Sequence, residues 1–208
     1  MTILKGGLKM AGFIALVLLC AGLAVYVGQT RANDKADEPV SFSMGHFEMV
    51  DSHGKTVTDK DFLGKPSVFF FGFTYCPNIC PTTLTHLTAL MKRLGSDADK
   101  IHVVFATVDP ERDTPKAMSD YLSSFDRRII GLTGTPAQVA SMAREFYVLY
   151  QKVPLGDGDY TMDHSAEIML FDATGQFKGT IDDQESGEAA FEKLKMLARG
   201  GARAGSKS

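Results

Sequence analysis

The stretch Pro66–Leu84 reads PSVFFFGFTYCPNICPTTL. Its first part, Pro66 to Phe73, is a short continuous apolar run, the pattern of a strand buried on both faces. Its second part sets Cys76 and Cys80 four residues apart, each followed by a proline. Pro81 can open a helix at its first position, and Leu84, Leu87, Leu90, Met91 and Leu94 then recur at helical spacing up to Gly95. The two thiols therefore fall where a buried strand hands over to a helix. Unpaired N–H groups and the helix dipole at that point favour thiolate over thiol. A four-residue step on a first helical turn also keeps both sulfurs on one side of the chain, within reach of one ion.

Outward from this stretch the pattern alternates. Upstream, SFSMGHFEMV, DSHGK and TVTDKDF read as a β-hairpin around Ser52 to Lys55. Downstream, IHVVFATV (Ile101 to Val108) is a second buried strand, and DPERDTP turns into a helix from about Pro115 to Phe125. RIIGLTG holds a short strand, and TPAQVASMAREF starts a helix with a Thr-Pro cap. VLYQKV reads as β-structure, LGDGDYTMD as a polar loop, and SAEIMLFD, ATGQ and FKGTI as β-structure with a tight Gly turn. A last helix runs from about Ser186 to Ala198, ahead of the frayed segment GGARAGSKS. This order, with CxxxC between a central strand and its helix, predicts an α/β fold: a thioredoxin-like three-layer sandwich behind an N-terminal β-hairpin.

The N-terminal segment Met10–Gly28 contains no charged residue and is long enough to cross a bilayer at about 1.5 Å per residue. Lys5 and Lys9 precede it, which favours a cytoplasmic N-terminus and one transmembrane helix, with the globular part outside the cytoplasm. A cleaved signal ending at TRA before Asn33 is the rival reading, but the apolar run exceeds the usual length for one. The expected organisation is a membrane anchor or signal segment over 1–28, a polar tether over 29–39, one globular domain over 40–199 and a flexible tail over 200–208. With 208 residues and 44% hydrophobic content, no second domain is required. A net charge of -3 and the lack of a Lys/Arg cluster interleaved with aromatics argue against nucleic-acid binding. The short tether and the absence of an Arg-rich presequence favour a bacterial inner membrane, with the domain in the periplasm, over a mitochondrial inner membrane facing the intermembrane space.

Cys20 lies within the apolar run, so Cys76 and Cys80 are the thiols of the exported domain, in a compartment that tends to oxidise them. A structural bridge between them would close a very short loop, where disulfides stabilise least, so the pair reads as chemical. Dithiol oxidoreductases of this fold mostly use CxxC, and the extra residue in CPNIC shifts the balance towards ligation. Two soft thiolates select Cu(I), zinc or iron–sulfur iron, and two alone under-fill zinc or a cluster, so a third ligand should come from elsewhere. Five histidines are available, and His164, in MDHSAE at the mouth of a strand, is the candidate. A hydrogen-bonded loop histidine is the competing reading. His46, His53, His86 and His102 read as surface or core-edge residues. Cys76, Cys80 and His164 together suit Cu(I), or Cu(II) if a further oxygen or nitrogen joins. Met162 could offer a thioether, but gap-filling explains it more simply. Asp113 is explained by turn and N-cap duty, whereas Asp109, at a strand end on the cysteine edge, is a candidate for orienting a ligand. Phe73 and Tyr75 are expected to shield the site.

With these residues in place, the sequence resembles the Sco/SenC family of membrane-anchored copper proteins from about Phe42 to Leu197. The matching pieces are GKPSVFFFGFTYCPNICPTTL, VDPERDTP, GLTGTP, and DHSAEIMLFD with ATGQ after it. The resemblance implies a copper site formed by Cys76, Cys80 and His164, and it is this that raises His164 above the other histidines. It also implies a part in assembling the dinuclear copper centre of cytochrome c oxidase, by delivering copper to subunit II or by reducing that subunit's cysteines. An extracytoplasmic thiol reductant and other copper chaperones are the further partners expected. The family pattern has an acid between the cysteines, where this chain has Asn78. The main rival is a thiol–disulfide reductase in which Cys76 attacks, Cys80 resolves and His164 tunes the thiols.

Overall fold

The computed structural model describes residue 19, residues 42–182 and residues 184–204. The fold belongs to the unit Phe42–Ser208, the second of two into which the chain divides. The expected membrane segment and tether lie outside the described residues, apart from Leu19. Among the described residues, no helix is long and apolar enough to cross a membrane.

The elements are β1 (Glu48–Asp51), β2 (Thr56–Thr58), β3 (Ser67–Gly72), α1 (Ile79–Leu94), β4 (His102–Thr107), α2 (Pro115–Leu122), β5 (Ile129–Thr133), α3 (Pro136–Glu145), β6 (Tyr150–Gly156), β7 (Asp159–His164), β8 (Ile168–Phe171), β9 (Phe177–Ile181) and α4 (Gly187–Ala204). Seven strands form one sheet in the order β2-β1-β5-β4-β3-β8-β9. β3, β4 and β5 run parallel, while β8 lies antiparallel to β3, and β1 antiparallel to β5.

Every residue of β3 is buried, as the apolar run requires. Successive side chains point to opposite faces, so both faces must be covered. On one, Phe70 stacks on Phe105, which meets Tyr121 of α2, and Gly72 faces Cys80 of α1. On the other, Phe69 and Phe71 pack on Phe146 at the end of α3. α4 lies against α1. The result is the three-layer, thioredoxin-like arrangement, with the N-terminal hairpin β1–β2 extending the sheet at one edge.

The chain enters this unit far from the cysteines. Phe42 accepts a hydrogen bond from Phe177 N and stacks on its ring, and Ser43 bridges Gln176. The β8–β9 turn there sits at the Ser67 end of β3, because Ser67 pairs with Phe171, whereas the cysteines follow the Gly72 end.

Three expectations change. α1 begins at Ile79, two residues ahead of Pro81. Proline is tolerated at this third position because the first four helical N–H groups have no intrahelical partner. α4 continues to Ala204, beyond the expected end at Ala198. LGDGDYTMD is not a loop: β6 and β7 form a separate antiparallel hairpin. Asp157 and Gly158 turn it, both with positive φ, as the tightest hairpin turns require.

Candidate metal centre

The cysteine loop is shaped from below by a carboxylate. Asp113, fully buried, accepts hydrogen bonds from Thr74 N at 3.0 Å, Thr74 Oγ1 at 2.5 Å and Thr107 Oγ1 at 2.6 Å. Burial pushes its carboxyl above the usual range, against the pull of these donors. Asp113 does sit in the turn expected of it, its N–H donating to Asp109 O, but helix capping belongs to Thr114, whose hydroxyl accepts from Ala117 N. Asp113 instead pins the turn that delivers Cys76 and Cys80.

Cys76 is half-buried, Cys80 is buried, and neither is in a disulfide. Cys76 Sγ accepts the Cys80 N–H at 3.4 Å, taking up one of the unpartnered donors of the first turn of α1. Cys80 Sγ sits over Gly72, where a Cβ would approach it to 2.7 Å. Burial pushes the Cys80 thiol far up, in the opposite direction to the thiolate preference expected of a helix start.

His164 ends β7 opposite Tyr150. Its Nε2 lies 3.9 Å from Cys80 Sγ, and its Nδ1 lies 2.8 Å from the Ser165 carbonyl oxygen. A carbonyl only accepts, so Nδ1 carries a proton, and in the neutral imidazole this leaves the lone pair on Nε2, the nitrogen on the sulfur side. The buried Phe73 ring meets the imidazole edge-on at 5.8 Å. Tyr75, expected to shield the site, is 65% exposed.

Asp109 is buried but does not touch the cysteines or His164 through any described contact. It accepts from Arg112 Nε at 2.5 Å and from Tyr160 Oη at 2.9 Å. Met162 packs in the core. The remaining histidines lie elsewhere: His46 bonds Asp59, and His102 meets the Phe62 ring, its imidazole held down at about 4 by burial.

Among the described residues, no three His, Cys, Asp or Glu side chains make a closed metal-binding group. The contact formed is the pair Cys80 and His164, with Cys76 bonded to the Cys80 backbone. A separation of 3.9 Å is shorter than two metal–ligand bonds of about 2.0–2.3 Å laid end to end, so one ion can reach both atoms. Two sulfurs and one imidazole nitrogen form a soft donor set.

A family model described as SCO1/SenC matches residues 35–199. The chain belongs to the SCO1/SenC family. Protein SCO2, mitochondrial, of Saccharomyces cerevisiae is 36% identical over 194 residues, 88% of this chain and 64% of that protein. Protein SCO1 homolog 1, mitochondrial, of Arabidopsis thaliana is 40% identical over 61% of this chain and 38% of its own length, so the chain spans less than two thirds of these relatives. The structure of ScoI from Bradyrhizobium japonicum with copper bound is 46% identical, with a TM-score of 0.71, covering 75% of this chain and 99% of that one. BsSco, described as a member of the Sco family of cytochrome c oxidase assembly proteins, shares the fold at 22% identity and a TM-score of 0.63, covering 78% of this chain and 96% of its own.

Proposed function

We propose that this SCO1/SenC protein binds copper through Cys76, Cys80 and His164 and takes part in assembling the dinuclear copper centre of cytochrome c oxidase. The observation that carries this reading is the approach of His164 Nε2 to Cys80 Sγ at 3.9 Å, with Nδ1 tied to Ser165 O. A backbone acceptor on one imidazole nitrogen is the usual device that readies the other for a metal. The soft donor set and the copper-bound state of the Bradyrhizobium relative support copper as the cargo. Ligand exchange moves it: thiolates of the acceptor, oxidase subunit II, replace these donors one at a time. An N-terminal anchor in the inner membrane would hold the domain in the periplasm beside that acceptor. Other copper chaperones are the candidate donors of the cargo.

A second reading has its own support in the difference in exposure between half-buried Cys76 and buried Cys80. In a thiol–disulfide reductase, Cys76 bonds to one sulfur of a target disulfide and expels the other as a thiolate. Cys80 then attacks Cys76, releasing the reduced target and leaving a Cys76–Cys80 disulfide for an extracytoplasmic thiol reductant to reopen.

Copper(I) stoichiometry and affinity on the reduced full-length protein, read against a competing chelator, separate the two. One copper per chain, lost in Cys76→Ser and greatly weakened in His164→Ala, is the expected result. Weak binding indifferent to His164 would leave the reductase.

A further inference from the structure

The hairpin β6–β7 carries His164 yet pairs with no strand of the main sheet. His164 stands at the base of this hairpin, four residues before Ile168 of β8. Apart from His164, the hairpin's polar side-chain contacts to the rest of the domain converge on the segment after β4. Arg112 donates from Nη1 to the Tyr160 carbonyl at 2.9 Å and from Nε to Asp109 at 2.5 Å, while Tyr160 Oη donates to the other oxygen of Asp109. The guanidinium lies 3.8 Å from the centroid of the Tyr160 ring, on the hairpin, and 4.6 Å from that of Tyr75, in the cysteine loop. Lys152 on β6 adds an ion pair to Glu111.

We propose that Arg112 is a positioning residue that sets His164 against Cys80 by clamping the β6–β7 hairpin to the cysteine loop. The inference rests on the copper-site reading above. A planar guanidinium can do this because it offers a fork of donors along its edge and flat faces for aromatic rings at the same time. Asp109 fixes the plane of the fork, Tyr160 ties the hairpin to it twice, and Tyr75 ties the loop. Lysine, a point charge on a flexible stem, matches the charge but not this geometry.

The test compares wild type with Arg112→Ala, Arg112→Lys and Tyr160→Leu, the last leaving the Arg112–Asp109 ion pair in place should loss of the arginine unfold the protein. In the metal-free reduced protein, amide exchange over residues 150–164 is expected to quicken in all three while β3 and β4 stay protected. Copper(I) affinity is expected to fall by about 10–100-fold, the range for losing a group that orients a ligand. Added to His164→Ala, the same changes should lower affinity no further. Unchanged hairpin exchange, an equal affinity loss with and without His164, or full rescue by lysine would each overturn the clamp. If His164→Ala alone leaves affinity unchanged, the copper-site reading fails, and amide exchange still decides whether Arg112 holds the hairpin.

Discussion

Gly72 ends β3 without a side chain because two others occupy the space. A Cβ there would come within 2.7 Å of both Cys80 Sγ and Phe105 Cε2, and both neighbours are fully buried in the core. Gly72→Ala is therefore expected to destabilise the reduced protein by about 1–3 kcal/mol, as overpacking does, and to weaken copper binding by displacing the Cys80 sulfur. Urea unfolding and chelator competition measure the two effects; unchanged values in both would mean that the sulfur moves aside freely. Such residue-level detail was only partly legible in the sequence. CPNIC announces itself, but His164 rose above four other histidines by resemblance, since it stands 84 positions from Cys80. The hold of Asp113 on the cysteine loop is not legible, because its partner Thr74 lies 39 residues earlier and the local turn accounts for Asp113 without it. Arg112 gave no signal at all, since its use lies in joining two tyrosines and a carboxylate that only the fold brings together.

Among the elements, the start of α1 gives a proposed copper ligand a structural part as well. Asn78 precedes the helix without a side-chain cap, and Cys76 Sγ takes the Cys80 N–H instead. Cys76→Ser keeps an acceptor at that place, while Cys76→Ala removes it. Alanine is expected to lower stability by about 0.5–1 kcal/mol relative to serine, the scale of a lost helix-start hydrogen bond, although both abolish copper binding. Thermal unfolding of the two variants side by side checks this, and equal stabilities would deny the sulfur its capping part. The central strands were legible because burial on both faces leaves a continuous apolar run, as in SVFFFG. In the β6–β7 hairpin the start of β6 is legible in VLYQKV, but its end, the turn and β7 are not, because the hairpin lies outside the main sheet and most of its residues meet solvent, which leaves no clean alternation to read. Its Asp157–Gly158 turn was the usable signal, masked by the surrounding glycines and aspartates.

At the scale of the whole molecule, the proposed donors come from separate parts of the chain: the cysteines from the turn after β3, the histidine from a hairpin outside the main sheet. Folding brings them together, so a ligand that needs all three binds the folded state far better than the unfolded one. The unfolded chain keeps Cys76 and Cys80 close in sequence but lets His164 drift, and any stabilisation by copper(I) therefore reads the three-donor set. A copper concentration about 100 times the dissociation constant contributes about 2.7 kcal/mol by mass action. In a domain of this size that corresponds to a rise of roughly 5–10 °C in Tm. Calorimetry of the reduced protein should show this rise with copper(I), a much smaller one for His164→Ala, and none after the thiols are oxidised to a Cys76–Cys80 disulfide, which has no thiolate to offer. An equal rise in wild type and His164→Ala would mean that the cysteines bind copper alone, and the hairpin would then need another reason to hold its imidazole against Cys80.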